Sequence, residues 1–379
     1  MSVSTKIWLS SPHMGGGEQK YIKEAFDTNW VAPLGPNVNG FEEDIQQYLG
    51  QNVSVSALSS GTAALHLAFL LLGVQPGDEI ICQSMTFSAS ANPITYVGAT
   101  PIFVDSEPDT WCICPVALEA AIKDRLAKGK NIKAIVPVHL YGMPAKMDLI
   151  LQIAQQYNIP VIEDAAESLG STYKGQQCGT FGLMSCLSFN GNKIITTSGG
   201  GALVAQTEAL AQKATFLATQ ARDNAPHYQH SHIGYNYRMS NIVAGIGRGQ
   251  MEVLNDWIAK RRSNFDRYAN YFSTIEGVTM HQEQPESFSN RWLTALVIDP
   301  AKTNGLSRET LREALLAKDI ESRPLWKPMH LQPVFAQAPY YGEKVGEQLF
   351  DQGLCLPSGS NLTDADFARI FDVFDTCFR

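Results

Sequence analysis

The chain has 379 residues, of which 44% are hydrophobic and 17% are charged. This composition is typical of a folded globular protein and excludes a chain that is mainly disordered. Its 29 basic and 37 acidic residues give a net charge of −8, which argues against a nucleic-acid partner. A chain of this length is expected to form roughly two or three domains.

The sequence shows no sign of a membrane segment, a secretory signal or a metal site. The longest apolar stretch, 63–74, is interrupted by His66 and is shorter than the about 20 residues that a bilayer requires. We therefore expect a cytoplasmic protein with no membrane partner. No carboxylate or thiolate is spaced to complete a site with His227, His230 and His232, so no metal is expected.

Short β-rich runs alternate with helical stretches from about residue 53. The runs are bounded by Gly, Pro or Asp and cover 53–58, 79–84, 100–105, 132–140 and 159–164. This alternation predicts an α/β fold with a mostly parallel sheet that is covered by helices on both faces.

The pattern of predicted elements changes after Gly234. Residues 239–274 are compatible with long helices, and a strand at 291–298 and a helix near 307–318 follow. We predict a large domain over 1–249 and a smaller C-terminal α+β domain over 250–379.

Chemically active residues follow two of the predicted strands. Asp164 ends the run 159–164, and Ser188 and Lys193 follow a later strand. Ligands of parallel sheets lie outside the carboxyl ends of the strands, so Asp164 and Lys193 can face one cleft. An aspartate beside a lysine can also be a simple ion pair, and this alternative stays open at this point.

Pyridoxal phosphate requires a lysine for a Schiff base, a carboxylate against the pyridine nitrogen and donors for the phosphate. Ser60, Gly61 and Thr62 lie between a strand and a helix, where N–H groups and the helix dipole attract an anion. Ser188 can add its hydroxyl. Ser60 or Thr62 could instead only cap the helix. Phe87 could stack on the cofactor ring, although an aromatic residue after a strand usually belongs to the core.

Four segments of the chain resemble those of the DegT-type sugar-nucleotide aminotransferases, which are pyridoxal-phosphate enzymes of the aspartate-aminotransferase fold. They are SSGTAALHLA (59–68), EDAAESLGSTYKG (163–175), SFNGNKIITTSGGG (188–201) and GYNYRMSN (234–241). The resemblance spans nearly the whole chain. It implies the type I fold, with a mostly parallel central sheet and a smaller C-terminal α+β domain.

The resemblance also implies roles for individual residues. Lys193 is the Schiff-base lysine and Asp164 is the partner of the pyridine nitrogen. It implies that Gly61, Thr62, Ser188 and Asn236 bind the phosphate and that Glu167 lies next to the cofactor ring. Ser60 and Phe87, which are inferred from their positions, complete the expected cofactor-binding set. Asn236 would reach the cofactor phosphate of a second subunit, which requires a homodimer with shared active sites.

Glu167 departs from the pattern of the family. Many members have Gln or His at this position, next to the phenolic oxygen of the cofactor. An ionised carboxylate would there face a developing phenolate. We therefore predict that Glu167 is protonated or hydrogen-bonded elsewhere.

Further stretches, including SNRWLTALV, ESRPLWKPMH and LCLPSG, resemble members that act on UDP-linked 4-keto-6-deoxy-N-acetylglucosamine. The implied reaction moves an amino group from L-glutamate to C4 of UDP-2-acetamido-2,6-dideoxy-hex-4-ulose, as in the synthesis of bacillosamine and related surface glycans. The substrate-binding residues that we expect are Arg238, Arg323, Trp326 and His330. Arg238 could equally be an ion-pair partner, and Trp326 could equally be a core residue.

Two other functions are compatible with the same fold. A sugar-nucleotide dehydratase of the same fold would carry histidine in place of Lys193. An inactive sensor or regulatory protein of the same fold would form no stable cofactor chromophore. The presence of Lys193 argues against the first alternative, and Lys193 together with Asp164 argues against the second.

Overall fold

The computed structural model describes residues 5–50 and 52–378. The helices in these ranges are α1 (Glu18–Asp27), α2 (Pro36–Leu49), α3 (Gly61–Leu71), α4 (Asn92–Tyr96), α5 (Pro115–Ala127), α6 (Met147–Gln156), α7 (Glu208–Ala218), α8 (Asn241–Met251), α9 (Leu254–Phe272), α10 (Arg308–Leu316), α11 (Val345–Gln352) and α12 (Asp364–Phe378). The strands are β1 (Ser54–Leu58), β2 (Glu79–Gln83), β3 (Thr100–Val104), β4 (Ile132–Val136), β5 (Ile162–Asp164), β6 (Thr172–Tyr173), β7 (Gln176–Gln177), β8 (Met184–Ser188), β9 (Gly201–Ala205), β10 (Val278–Met280), β11 (Ser287–Phe288), β12 (Thr294–Ile298), β13 (Arg323–Pro324), β14 (Tyr340–Tyr341) and β15 (Gly353–Leu356).

The central sheet has two four-stranded halves, β1-β9-β8-β5 and β14-β3-β2-β4. They meet between β5 and β4, where the Asp164 N–H donates to the carbonyl of Pro137 at 2.9 Å and the His139 N–H donates to the carbonyl of Asp164 at 3.1 Å. β9 is antiparallel to its neighbours β1 and β8, and the other neighbouring strands are parallel. The predicted α/β fold with a mostly parallel sheet is confirmed.

Helix α3 lies inside the molecule because its sequence, GTAALHLAFLL, is apolar on nearly every side. Leu65, Leu67 and Phe69 are almost completely buried in a core cluster with residues of the sheet. The start of α3 is thereby fixed at the end of β1. This is the turn for which the sequence predicts anion binding.

The direction of the strands determines where the site forms. β1 and β8 are both antiparallel to β9, and β5 and β2 belong to the same parallel set as β8. The carboxyl ends of β1, β2, β5 and β8 therefore lie at one edge of the sheet. The turns that follow these four strands gather there.

The C-terminal part of the chain forms an antiparallel sheet in the order β10-β12-β15-β13. Phe265 on α9, Leu311 on α10 and Phe367 on α12 belong to its buried cluster. The helical stretch predicted at 239–274 is divided into α8 and α9 by a break between Met251 and Leu254.

Two segments cross the predicted division at residue 250. Ile7 pairs with Ile320 and packs in the C-terminal cluster, whereas β14 pairs with β3 of the central sheet. Chain order alone therefore does not separate the central sheet from the C-terminal sheet. The division at residue 250 stays a prediction.

Within 5–50 and 52–378, no helix is both long and apolar enough to cross a membrane. The same residues contain no cluster of three or more His, Cys, Asp or Glu side chains placed to hold a metal ion.

Candidate active site

A cavity of about 330 Å³ opens at the edge where the four parallel strands end. Its walls are the turns after β1, β2, β5 and β8, together with two tryptophans from the later part of the chain. The lining residues used below are Ser60, Gly61, Thr62, Phe87, Ser90, Asp164, Glu167, Cys186, Ser188, Asn192, Lys193, Trp292 and Trp326.

The turn between β1 and α3 has the features of an anion-binding site. The Ser60 hydroxyl caps α3 by accepting the N–H of Ala63 at 3.0 Å, and Gly61 and Thr62 follow at the start of the helix. N–H groups in the first turn of a helix have no partner within the helix and attract negative charge. A Cβ atom on Gly201 would lie 2.3 Å from the Gly61 nitrogen, so glycine is required for this close approach. Capping and anion binding are therefore compatible here.

Asp164 is buried at the end of β5, where three groups donate to its carboxylate. The Ser90 hydroxyl contacts Oδ2 at 2.5 Å, and the Ala166 N–H and the Cys186 thiol contact Oδ1 at 3.1 and 3.2 Å. Burial, and then the nearby Asp164 charge, hold the pKa of the Cys186 thiol well above its usual range, so this thiol keeps its proton and can donate. The carboxylate is held in one orientation toward the cavity.

Lys193 lies in the turn after β8. Its N–H donates to the carbonyl of Asn190 at 3.0 Å, and the indole N–H of Trp292 donates to the carbonyl of Asn192 at 2.7 Å. The Lys193 amine lies 3.9 Å from the centre of the Trp292 ring and 3.6 Å from Oε1 of Glu167. The predicted convergence of Lys193 and Asp164 on one cleft is present in the structure.

Glu167 is hydrogen-bonded away from the cavity through one of its oxygens, which accepts the Tyr141 N–H at 2.7 Å. This is one of the two arrangements that the sequence predicts for it. Burial raises the pKa of the Glu167 carboxyl, and the nearby charge of Lys193 opposes that rise.

Phe87 and Trp326 form the outer wall of the cavity. Phe87 is 51% exposed, and its ring centre is 5.3 Å from that of Trp326. The indole N–H of Trp326 is buried near Glu167 and helps to lower the pKa of that carboxyl, although its geometry to the described residues falls short of a normal hydrogen bond.

Two predicted residues on the segment before α8 lie outside the cavity lining. Asn236 is exposed, and its contact with a second subunit stays a prediction. Arg238 forms an ion pair with Glu42 through both guanidinium nitrogens and also donates to the carbonyl of Ala57 at 3.0 Å. The ion-pair alternative for Arg238 is therefore the arrangement that the structure contains.

Arg323 and His330 also lie outside the cavity lining. Arg323 is exposed and pairs with Glu321 at 2.8 Å. Nδ1 of His330 lies 2.7 Å from the Ser84 hydroxyl, and its ring stacks on Tyr340. Of the four predicted substrate-binding residues, only Trp326 lines the cavity.

Sequence reasoning missed several residues of the site, among them Cys186, Ser90 and Trp292. Ser90 lies just after the segment that carries Phe87, and a search for polar side chains beyond the β2 strand end would have found it. Trp292 lies in one of the stretches that carried the resemblance, but no local pattern places its ring beside Lys193.

The donor set fits pyridoxal phosphate. One cavity contains a lysine amine, a buried carboxylate with three fixed donors, and a helix start with two hydroxyl groups for the phosphate. The volume of about 330 Å³ lies within the usual range for cofactor pockets.

Comparison with known proteins agrees with this arrangement. Residues 12–375 match the model of the DegT/DnrJ/EryC1/StrS aminotransferase family. EpsN of Bacillus subtilis (strain 168), named as a pyridoxal phosphate-dependent aminotransferase, is 54% identical over 97% of this chain and 95% of its own length. The GDP-perosamine synthase of Caulobacter vibrioides is 38% identical over 99% of both chains.

A crystal structure of a DegT DnrJ EryC1 StrS aminotransferase from Brucella abortus superposes with a TM-score of 0.88 at 29% identity, covering 95% of each chain. The chain therefore belongs to the DegT/DnrJ/EryC1/StrS aminotransferase family, and its cofactor is pyridoxal 5'-phosphate.

Proposed function

We propose that the protein transfers an amino group from L-glutamate to the C4 carbonyl of UDP-2-acetamido-2,6-dideoxy-hex-4-ulose. The product would be a UDP-4-amino sugar for a surface glycan, made in the cytoplasm. The observation that carries the proposal is the placement of Lys193, Asp164 and the anion-binding turn around one cavity. The sugar assignment rests on the resemblance of the later stretches of the chain.

The residues have separate tasks in this reaction. Pyridoxal phosphate supplies a carbonyl for the amino group and a ring that takes up electron density. Lys193 moves a proton on its amine, first away from glutamate and later to C4 of the sugar. Asp164 keeps a proton at the pyridine nitrogen, and the donors on its own oxygens hold it in place.

The outer wall suits the sugar nucleotide. The exposed ring of Phe87 and the indole of Trp326, tilted by 50° to each other, give an apolar surface at the mouth of the cavity against which a sugar ring can pack. Arg323 is exposed next to this segment and can turn from Glu321 toward a diphosphate.

A second subunit is part of the proposal. Among the residues that the structure describes, the cavity lining offers hydroxyl groups for the phosphate but includes no residue of the 234–241 segment. Asn236 is exposed and its side chain is available to a neighbouring copy of the chain. We expect a homodimer in which Asn236 of each subunit completes the phosphate site of the other.

A GDP-linked 4-keto sugar is the second candidate substrate. It is favoured by the 38% identity to the GDP-perosamine synthase over nearly all of both chains. Both candidates require transfer of an amino group to C4 of a 4-keto sugar. They differ in the nucleotide that carries the sugar.

The deciding experiment offers the purified protein L-glutamate with UDP-, GDP- and dTDP-linked 4-keto-6-deoxy sugars and follows the release of 2-oxoglutarate. We expect the highest kcat/KM with the UDP-linked N-acetyl sugar. Preference for the GDP-linked sugar would replace the first candidate with the second. Loss of a sugar hydroxyl without amino transfer would indicate a dehydratase, and no reaction with any sugar would reject the proposal.

A further inference from the structure

The amine of Lys193 has a defined place in the cavity. Its side chain is only 11% exposed, and its nitrogen lies between a carboxylate oxygen and an aromatic face, 3.6 Å from Oε1 of Glu167 and 3.9 Å from the ring centre of Trp292. Both neighbours attract a positive charge. The position of the amine is therefore defined by these two contacts.

The carboxylate of Glu167 is held by a hydrogen bond to the oxygen that does not face Lys193. Its Oε2 accepts the N–H of Tyr141, whose backbone has the left-handed angles φ 56° and ψ 20°. This conformation is uncommon for a residue other than glycine and persists where surrounding contacts enforce it. The Tyr141 hydroxyl accepts the backbone N–H of Trp326 at 2.7 Å, which ties the strained residue in place. Oε1 is thereby turned toward Lys193.

The surroundings act on the protonation of Glu167 in opposite directions. The titratable groups that face it are Lys193, Asp164, the Tyr141 phenol and the Cys355 thiol. Burial and the charge of Asp164 favour the neutral acid, whereas Lys193 and the Tyr141 N–H favour the carboxylate. Opposing effects of this kind are typical of groups that exchange protons during catalysis.

We infer that Glu167 is the proton partner of Lys193: when the amine is not bonded to the cofactor, the carboxylate receives a proton from the ammonium and later returns it. In this step one N–H bond of Lys193 breaks, an O–H bond forms on Oε1 of Glu167, and the net charge of the pair stays zero. The lysine regains the lone pair with which it abstracts the next proton. The flexible stem of the lysine closes the remaining distance between the two atoms.

This inference rests on the proposed amino transfer but concerns only its proton step. It differs from a contact between Glu167 and the phenolic oxygen of the cofactor, which would change the cofactor spectrum and leave the lysine unaffected. The two roles can be separated because the reaction with glutamate requires no sugar.

The first test measures the half-reaction with L-glutamate in single turnovers. Glu167→Gln should slow it on the order of 10²-fold and increase the isotope effect of glutamate deuterated at Cα, with little change in KM for glutamate. Glu167→Asp keeps the carboxyl group but shortens its reach. Its rate in this half-reaction should lie between the rates of the wild type and of Glu167→Gln. An unchanged isotope effect together with a shifted absorbance titration of the cofactor would overturn the inference in favour of the phenolic contact.

The second test needs no turnover. Isotope-edited infrared spectroscopy of the cofactor-free full chain can follow the Glu167 carboxyl band, which is assigned by its loss in Glu167→Gln. In Lys193→Met the titration midpoint of this band should move to higher pH, because the charge that opposes the effect of burial is gone. An unchanged midpoint would show that the two groups are not coupled. If the wild-type protein did not react with glutamate, the proposed function would fail while this second test still reported on the pair.

Discussion

Replacing Ser90 with alanine is expected to lower the free energy of unfolding by about 3 kcal/mol. The Ser90 hydroxyl has one proton, and the 2.5 Å contact with Oδ2 of Asp164 uses it because a carboxylate can only accept. The 2.6 Å contact between the Thr86 and Ser90 hydroxyls must then be donated by Thr86. Ser90→Ala thus removes a bond to a charged group, worth about 1.5–3 kcal/mol, and leaves the Thr86 donor without its partner, which costs about 1 kcal/mol more.

Water cannot easily replace these bonds, because Ser90 and Thr86 are each only 1% exposed. Urea unfolding of the cofactor-free protein, followed at one protein concentration, measures the loss as a lower midpoint at constant slope. Thr86→Val is the matched control. It keeps the bond to Asp164 and should cost about 1 kcal/mol. Equal effects of the two substitutions, or a Ser90→Ala protein within about 0.5 kcal/mol of wild type, would refute the direction assigned to this chain of bonds.

Three further outcomes follow from the structure. Lys193→Ala should fold with an unchanged circular dichroism spectrum but fail to gain cofactor mass after borohydride reduction; retained mass would move the attachment elsewhere. Burial lowers the pKa of His281 to about 3, so the unfolded chain binds a proton that the folded chain does not. As the pH falls from 6.5 toward 3, the free energy of unfolding should therefore drop by about 1.4 kcal/mol per pH unit from this group, and the slope should be smaller in His281→Leu. Arg238→Met leaves the Glu42 carboxylate with no cation and only the Ala57 N–H as a donor, and should cost about 3 kcal/mol in urea unfolding, whereas an unchanged stability with a raised KM for the sugar would favour a substrate role.

The parts of the site that could be predicted from the sequence come from strand ends. Ser60, Asp164 and Ser188 each end or follow a strand of one parallel set, so the rule for parallel sheets brings them together. Lys193 could be placed because its turn continues directly from β8. Pyridoxal phosphate requires a lysine, a carboxylate and donors for its phosphate, and these requirements assign a role to each of these residues.

The remaining parts depend on tertiary packing that leaves no local pattern. Trp292 reaches Lys193 only because the segment before β12 folds back onto the cavity. His330 has residue chemistry suited to a substrate, but its ring is engaged by Ser84 and Tyr340. A side chain's type indicates what it can bind, whereas its neighbours determine whether it is free to do so.

The pairing of Ile7 with the 319–321 segment has a consequence for synthesis of the protein. The Ile7 N–H donates to the carbonyl of Asp319, and the Leu9 N–H donates to the Glu321 carboxylate, 312 positions further along the chain. During translation the early stretch leaves the ribosome long before its partners exist, so these contacts close among the last. In this interval the residues around Ile7 lack their partners, so a chaperone could bind them. Premature termination of synthesis would leave the same residues exposed.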